Sequence, residues 1–500
     1  MQDKAKKKLD SPSVGQVALV GAGPGALGLL TLRGKELLEA AQTVVYDRLV
    51  GPDILALIPP NAERINVGKE SGRHPVPQER ISQLLAEKAL EGKRVVRLKG
   101  GDCFLFGRGG EELEVLIQQG IPFEVAPGIP SPIGATAYAG IPVTHRDYCA
   151  SVHLITGHRK KDGALSLDYG ALARLSGTLV FLMSLATAGE IAAGLMEAGM
   201  DGEMPAAVIE KGTRPEQRKL VTTLERLEED LQREKIGSPA LILVGKVCAL
   251  SEQFDWFSSL PLKGKRILVT RPKTGAERLA GSLRALGANV LSFPAIETRP
   301  IPFSVPVLSG FTHMVFTSAT GVQAFFQGLR KEGKDARSFY GLRILAVGKE
   351  TASALERYGI SPDFLPQVHT GQALAQEALE KGEITALSRP LWPCAKTPSP
   401  DLERTWEQAG ISLTSLAVYE TVFPPFSSIA PDEVDLITFT SQSCVESFAA
   451  GVKKPEAFSH LPAVCIGPKT AQAAEQYFSH IAIAPAANMA AMVNTIKEMW

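Results

Sequence analysis

Short apolar runs separated by longer stretches with helical spacing recur along the whole chain. Residues 16–20, 43–46, 94–98, 152–156, 178–183 and 240–244 read as strands, each a brief apolar block between turn formers. Strands alternating with helices predict α/β domains built on largely parallel sheets. The pattern breaks near residues 254–265, at Ser-Ser-Leu-Pro-Leu-Lys-Gly-Lys, and a new strand begins at 266–270. The main boundary is placed there. An N-terminal extension, residues 1–14, precedes a first module at 15–258, with subdomains at about 15–128 and 129–250; a second module follows at 262–500.

The second module contains an internal repeat. Residues 272–298 align without gaps on 395–421, pairing Lys273 with Lys396, Thr274 with Thr397, Gly287 with Gly410 and Glu297-Thr298 with Glu420-Thr421. Phe316-Thr317-Ser318 falls on Phe439-Thr440-Ser441, and Val347-Gly348-Lys349-Glu350-Thr351-Ala352 on Ile466-Gly467-Pro468-Lys469-Thr470-Ala471. Two similar α/β units are implied. Proline-rich stretches at 300–306 and 424–431 follow the two Glu-Thr pairs and suggest that the chain crosses between two lobes twice. One lobe would hold about 262–298 plus 424–500, the other about 300–422, with a ligand cleft between them.

Composition narrows the function classes. Lys plus Arg equals Asp plus Glu at 53 each among 500 residues, so no global field favours nucleic acid or an anionic membrane. Residues 14–32 carry little charge, but glycines and a proline interrupt them, which fits a strand, loop and helix start better than a membrane span. Six scattered cysteines form no framework and read as free thiols of a cytoplasmic protein. His145, His153 and His158 lack the cysteines or paired acids that would complete a metal site.

Gly21-Ala22-Gly23-Pro24-Gly25-Ala26-Leu27-Gly28 follows a strand, and Asp47 ends the next one. This segment alone fits the dinucleotide fingerprint, which makes a nicotinamide-dependent oxidoreductase a rival reading of the first half. The remaining motifs argue otherwise: Val95-Val96-Arg97-Leu98-Lys99-Gly100-Gly101-Asp102-Cys103-Phe104-Leu105-Phe106-Gly107-Arg108-Gly109-Gly110-Glu111-Glu112, Pro127-Gly128-Ile129, Ala139-Gly140-Ile141-Pro142-Val143-Thr144-His145-Arg146-Asp147 and Thr156-Gly157-His158. With Tyr46-Asp47-Arg48 and Val67-Gly68-Lys69, they resemble the tetrapyrrole methylases, and within them the uroporphyrinogen-III C-methyltransferases, over about residues 15–250.

That resemblance implies a two-domain tetrapyrrole-methylase fold, S-adenosylmethionine as methyl donor, and a homodimer through this half. The family's cofactor contacts carry over to Pro24, Gly100, Gly101, Asp102, Leu105, Pro130, Ser131, Met183 and Gly212. Ala26-Leu27 stands where the family has Asp-Pro, Cys103 where it has Pro, and Pro130 where it has Thr; backbone contacts survive such changes. Asp47 and Lys69 match the proposed proton acceptor and donor, though Asp47 could simply cap a turn and Lys69 be a solvated loop residue. A substrate with eight carboxylates needs cationic donors, for which Arg146 and His158 are candidates, with Arg146 as a bidentate clamp.

Residues 266–272 (Arg-Ile-Leu-Val-Thr-Arg-Pro), the Phe-Thr-Ser segments, the paired Gly-x-x-Thr-Ala turns and Val418-Tyr419-Glu420-Thr421 resemble uroporphyrinogen-III synthases. That implies a two-lobed fold and closure of hydroxymethylbilane with inversion of ring D, without metal or organic cofactor. Together the halves would convert the bilane to precorrin-2, on the way to siroheme or cobalamin. Tyr419 is the candidate leaving-group donor, since its repeat counterpart is the apolar Ile296. Thr351, Ser443 and Thr470 are candidates for substrate carboxylates, with helix capping as the alternative for the threonines. A non-catalytic tetrapyrrole-binding module is the rival reading of this half.

Overall fold

The computed structural model describes residues 14–68, 76–157, 165, 167–270, 273–293, 297–422, 429–452 and 454–500. The chain divides into two compact units, residues 1–265 with 283–289, and 266–282 with 290–500.

In the first unit, β1 (Gln16–Gly21), β2 (Thr43–Tyr46), β3 (Glu63–Asn66), β4 (Arg94–Lys99) and β5 (Phe123–Ala126) form a wholly parallel sheet in the order β3-β2-β4-β1-β5. Alternation along β4 sends Val96 and Leu98 into the core shared with Leu38, while Val95 faces Leu85 and Leu116 on the other side. This order separates β1 from β2. A dinucleotide-binding fold needs those strands side by side, so the oxidoreductase reading loses its scaffold. The helix after the glycine loop does not open onto a phosphate either: Thr31 caps it, accepting the Gly34 amide at 3.1 Å.

The second sheet runs β6-β7-β10-β8-β9, from β6 (Val152–Thr156), β7 (Thr178–Leu182), β8 (Pro205–Glu210), β9 (Arg218–Thr223) and β10 (Ala240–Val244). Only β6 and β7 pair in parallel here; the other ladders are antiparallel, contrary to the largely parallel expectation. The short turn from β8 to β9 leaves no room for a crossover, so these strands form a hairpin. The helix Ser131–Tyr138 packs Ala135 against β7, β8 and β10, bringing the two sheets onto one cleft.

The second unit bears out two similar α/β units. β11 (Arg266–Thr270), β12 (Asn289–Ser292), β18 (Leu436–Phe439), β19 (Pro462–Cys465) and β20 (His480–Ile483) form one sheet, ordered β12-β11-β18-β19-β20. β13 (Glu297–Pro300), β14 (His313–Phe316), β15 (Arg343–Ala346), β16 (Pro390–Ala395) and β17 (Thr414–Val422) form the other, ordered β13-β17-β16-β14-β15. Repeat-related strands occupy equivalent places, and Ser318 and Ser441 both cap the helix that follows. The first crossing lies earlier than expected. Glu297-Thr298 already belongs to the second sheet, because β13 runs antiparallel to β17, with Thr298 facing Thr421 and Pro300 facing Tyr419. Proline is tolerated there because β13 is an edge strand.

Residues 255–263, read from sequence as the approach to a boundary, pack onto the first unit. The Tyr138 ring meets Trp256 and Phe257 edge-on at 4.9 and 4.8 Å, and the Trp256 indole donates to the Ala137 carbonyl at 3.0 Å. Lys219 pairs with Asp255 at 2.9 Å. Phe257 is only 5% exposed. Phe257→Ala should therefore destabilise the first unit by about 3 kcal/mol or more, measured by denaturant unfolding of the fragment ending at Lys265. Unchanged stability would show that this segment is a free linker.

Candidate functional site

The carboxyl ends of β1, β2 and β4 face the ends of β7 and β8 and the start of β10 across a cleft of about 310 Å³. Pro24, Gly100, Gly101, Asp102, Leu105, Pro130, Ser131, Met183 and Gly212 all line it, as does Asp47. Ligands of α/β sheets bind at such carboxyl ends.

Hydrogen bonds between loops shape the walls. Asp102 accepts the Phe104 and Leu105 amides on Oδ1, at 2.8 and 3.1 Å, and the Gly128 amide on Oδ2, at 3.1 Å. Its carboxylate is thus engaged in holding the loop, and its neighbours present backbone groups to the cleft. The Ala26 amide donates to the buried Thr213 hydroxyl at 3.0 Å, tying the glycine loop to the turn after β8. Phe106, Arg108, Met183 and Lys211 line the cleft with positive φ angles of 53°, 58°, 55° and 48°. Strain of this kind persists only where surrounding structure enforces it, and it clusters at functional sites.

Charge is concentrated on the cleft floor. Asp47 caps its turn with Oδ1, which accepts the Leu49 amide at 3.0 Å, while Oδ2 lies 3.7 Å from Arg97 Nη2. The turn-capping reading of this residue thus holds for one oxygen, and the other is left facing Arg97. Arg97 and Lys99, both buried, donate to the fully buried Glu112 at 3.1 and 2.9 Å. Burial pushes the Lys99 ammonium below its ordinary range, the Arg97 charge adds to that, and Glu112 opposes it.

Sequence reasoning named Arg146 and His158 as candidates for substrate carboxylates. Arg146 is exposed on the turn closed by the His145–Cys149 bridge and does not line the cleft, so its guanidinium remains solvated. Lys69 and His158 lie outside the described residues. The cations that do line the cleft are Arg97, Lys99, Arg108, Lys211 and Arg214. The missed signal was in β4: two cations on one face of an otherwise apolar strand need partners inside the protein. All six cysteines are free, and burial pushes the Cys103 thiol up to about 12, which leaves it unreactive. Among the described residues, no group of His, Cys, Asp and Glu is arranged to hold a metal ion.

In the second unit, the Tyr419 ring packs on the core around Phe316 and Phe325, and its hydroxyl lies 3.2 Å from Ser318 Oγ. Burial raises the phenol's pKa, with the Ser318 hydrogen bond opposing. A register shift between Cys394 and Ala395 sets Ala395 opposite Tyr419, and such bulges re-aim side chains. Thr351 and Thr470 are 3% and 5% exposed, within the first turns of their helices. Neither caps its helix. The capping positions are Gly348 and Gly467, which offer no side chain, so first-turn amides remain the groups that could meet an anion there. Ser443 is half-buried, 2.9 Å from the capping Ser441 hydroxyl.

Residues 16–228 match the family model of tetrapyrrole (corrin/porphyrin) methylases, and residues 277–494 match that of uroporphyrinogen-III synthase HemD. The chain is 45% identical over 497 residues to porphyrin biosynthesis protein HemD of Ruminiclostridium josui, covering 97% of this chain and 98% of that protein. It is 54% identical over 245 residues to siroheme synthase 2 of Yersinia enterocolitica, covering 49% of this chain and 51% of that protein, so it spans about half of that relative. Among solved structures, the native form of uroporphyrin III C-methyl transferase from Thermus thermophilus is 39% identical, with a TM-score of 0.41, covering 47% of this chain and all of that one. The chain belongs to the family of fused proteins in which a tetrapyrrole methylase is followed by a uroporphyrinogen-III synthase.

Proposed function

We propose that this chain closes hydroxymethylbilane to uroporphyrinogen III, with ring D inverted, in its second half and methylates that product twice in its first half, giving precorrin-2. The observation that carries this reading is convergence: nine residues assigned to cofactor binding by motif resemblance, drawn from widely separated segments, line one cleft together with Asp47. The cleft fits a nucleoside. Leu105, Ala135, Leu182, Ile209 and Leu241 give it apolar walls, and Gly101, with a φ of +72° and only the Ser131 amide within reach of an added Cβ, leaves a backbone surface open.

S-adenosylmethionine supplies the methyl group as an electrophile when bound. The protein's part is alignment and proton removal. Methylation at a fully substituted pyrrole carbon leaves the ring cationic, and Asp47 takes the proton that the ring then loses from a neighbouring atom, its carboxylate fixed by the Leu49 amide and faced by Arg97. Cations at the cleft, Lys211 and Arg214 among them, receive substrate carboxylates. In the synthase half, Tyr419 donates a hydrogen bond to the departing bilane hydroxyl, and Ser318 orients the phenol. A phenol raised by burial stays protonated at neutral pH, as a donor must.

Supplying the purified chain with hydroxymethylbilane and S-adenosylmethionine, without NAD, should produce dipyrrocorphin-like absorbance and precorrin-2. Closure to the uninverted type I isomer alone, or a requirement for NAD, would overturn the reading.

Asp47→Asn should bind S-adenosylhomocysteine nearly as the parent does, by calorimetry, while methylation falls about 10²-fold or more. Normal turnover would remove Asp47 from the chemistry. Tyr419→Phe keeps the ring in its core and deletes one hydroxyl. Formation of the type III isomer should fall about 10- to 10³-fold, with bilane diverted to the uninverted type I isomer, while stability changes by about 1 kcal/mol or less. An unaltered rate of type III product, resolved by chromatography, would make Tyr419 structural.

A further inference from the structure

We propose that Glu112 is a positioning residue of the methyl-transfer site, holding the Arg97 guanidinium against Asp47 and the Lys99 ammonium beside it. The proposal rests on the reading of Asp47 as proton acceptor.

Glu112 sits in the first turn of the helix Gly109–Gln118, where a carboxylate is favoured by the helix dipole. Its side chain is 0% exposed, so it cannot touch substrate. Oε1 accepts from Arg97 Nε at 3.1 Å, Lys99 Nζ at 2.9 Å and Gln78 Nε2 at 3.0 Å, and Oε2 has no hydrogen-bond partner among the described residues. Arg97 Nη1 donates to the Leu98 and Val45 carbonyls at 3.2 and 3.4 Å. With Nε and Nη1 engaged, the guanidinium has one orientation, and Nη2 is the group it presents to Asp47, 3.7 Å away.

Stability alone does not account for this cluster. The opposite face of β4 is filled by Val96 and Leu98, and apolar residues could fill this face too; buried ion pairs commonly gain nothing over such packing. Arg97 and Lys99, by contrast, reach the cleft lining, as does Gln78. Two cations and two anions balance across Arg97, Lys99, Glu112 and Asp47, so removing the Glu112 charge unbalances the whole floor.

The test is a double-mutant cycle on the full chain. Glu112→Gln keeps the size and an acceptor oxygen but removes the charge. It should lower kcat for methylation about 10- to 100-fold, the cost of a small misplacement of a reacting group, with S-adenosylhomocysteine affinity within about 2-fold by calorimetry. Combined with Asp47→Asn, it should cost less than about 2-fold further, because residues acting as one unit are not additive. A normal kcat for Glu112→Gln, or the same loss in both backgrounds, overturns the proposal. Normal turnover by Asp47→Asn alone shows separately that the proton-acceptor reading has failed, and the proposal falls with it. Should Glu112→Gln not fold, the charge-balanced Lys99→Met/Glu112→Gln variant decides: kcat should stay low because Arg97 still lacks its carboxylate partner, and recovery of parental kcat overturns the proposal.

Discussion

No side chain fits where the end of β1, the exit of β4 and the turn before residue 131 meet. A Cβ on Gly128 would stand 2.2 Å from the Gly101 carbonyl oxygen, and one on Gly21 would stand 2.4 Å from the Gly128 amide nitrogen. Because backbone touches backbone here, Gly23 and Gly101 exchange hydrogen bonds at 3.0 and 2.8 Å, and Asp102 reaches the Gly128 amide. The helix carrying Pro132 and Ala135 then starts at the cleft wall and packs on the second sheet. The cleft, the loop conformations and the contact of the two sheets all depend on that close approach.

The synthase half reaches its form by duplication rather than by glycine packing. In both copies a serine after the Phe-Thr pair caps the next helix, with Ser318 accepting the Gly321 amide at 3.0 Å and Ser441 the Cys444 amide at 3.3 Å. The cap in one copy has a second duty. Ser318 also meets the Tyr419 hydroxyl, while Ser441 meets Ser443. A hydroxyl that accepts from a helix N-terminus still has its own proton to donate, so one structural cap can orient a phenol without losing its first role.

Much of this was legible in the sequence, and what was not has physical causes. The strands at 16–20 and 43–46 announced themselves because buried parallel strands are largely continuous apolar blocks. β9, Arg218–Thr223, did not, since its exposed edge carries mixed polar residues. The sequence repeat showed two similar units, but not that the Glu-Thr pairs of both copies would lie in one ladder, because strand partnership is a tertiary fact. The nine motif residues expected to contact a cofactor all line one cleft. The charged residues were harder to place: Arg146, beside a glycine-rich turn, is exposed and lies off this cleft, while Arg97 and Lys99, at a strand and its end, form the floor. Sequence shows charge, whereas its use depends on which face of an element is covered.

The two halves solve their charge problems in opposite ways, and the chemistry explains why. On the proposed reading, neutralising the methylated, cationic ring needs a base; the methylase cleft holds the Asp47 carboxylate, and Arg97, Lys99 and Glu112 balance it within one buried cluster. In the proposed synthase step the bilane hydroxyl leaves as water with the proton that the ring A nitrogen releases, so the protein need add only a hydrogen-bond donor. A neutral phenol in an apolar setting serves, and burial then works for the function, since desolvation disfavours the phenolate and preserves the donor form. The same physical effect works against Lys99, whose charged form is disfavoured by burial and sustained by Glu112. Low dielectric therefore makes the synthase donor self-sufficient, whereas the methylase floor keeps its charges only while each has a partner.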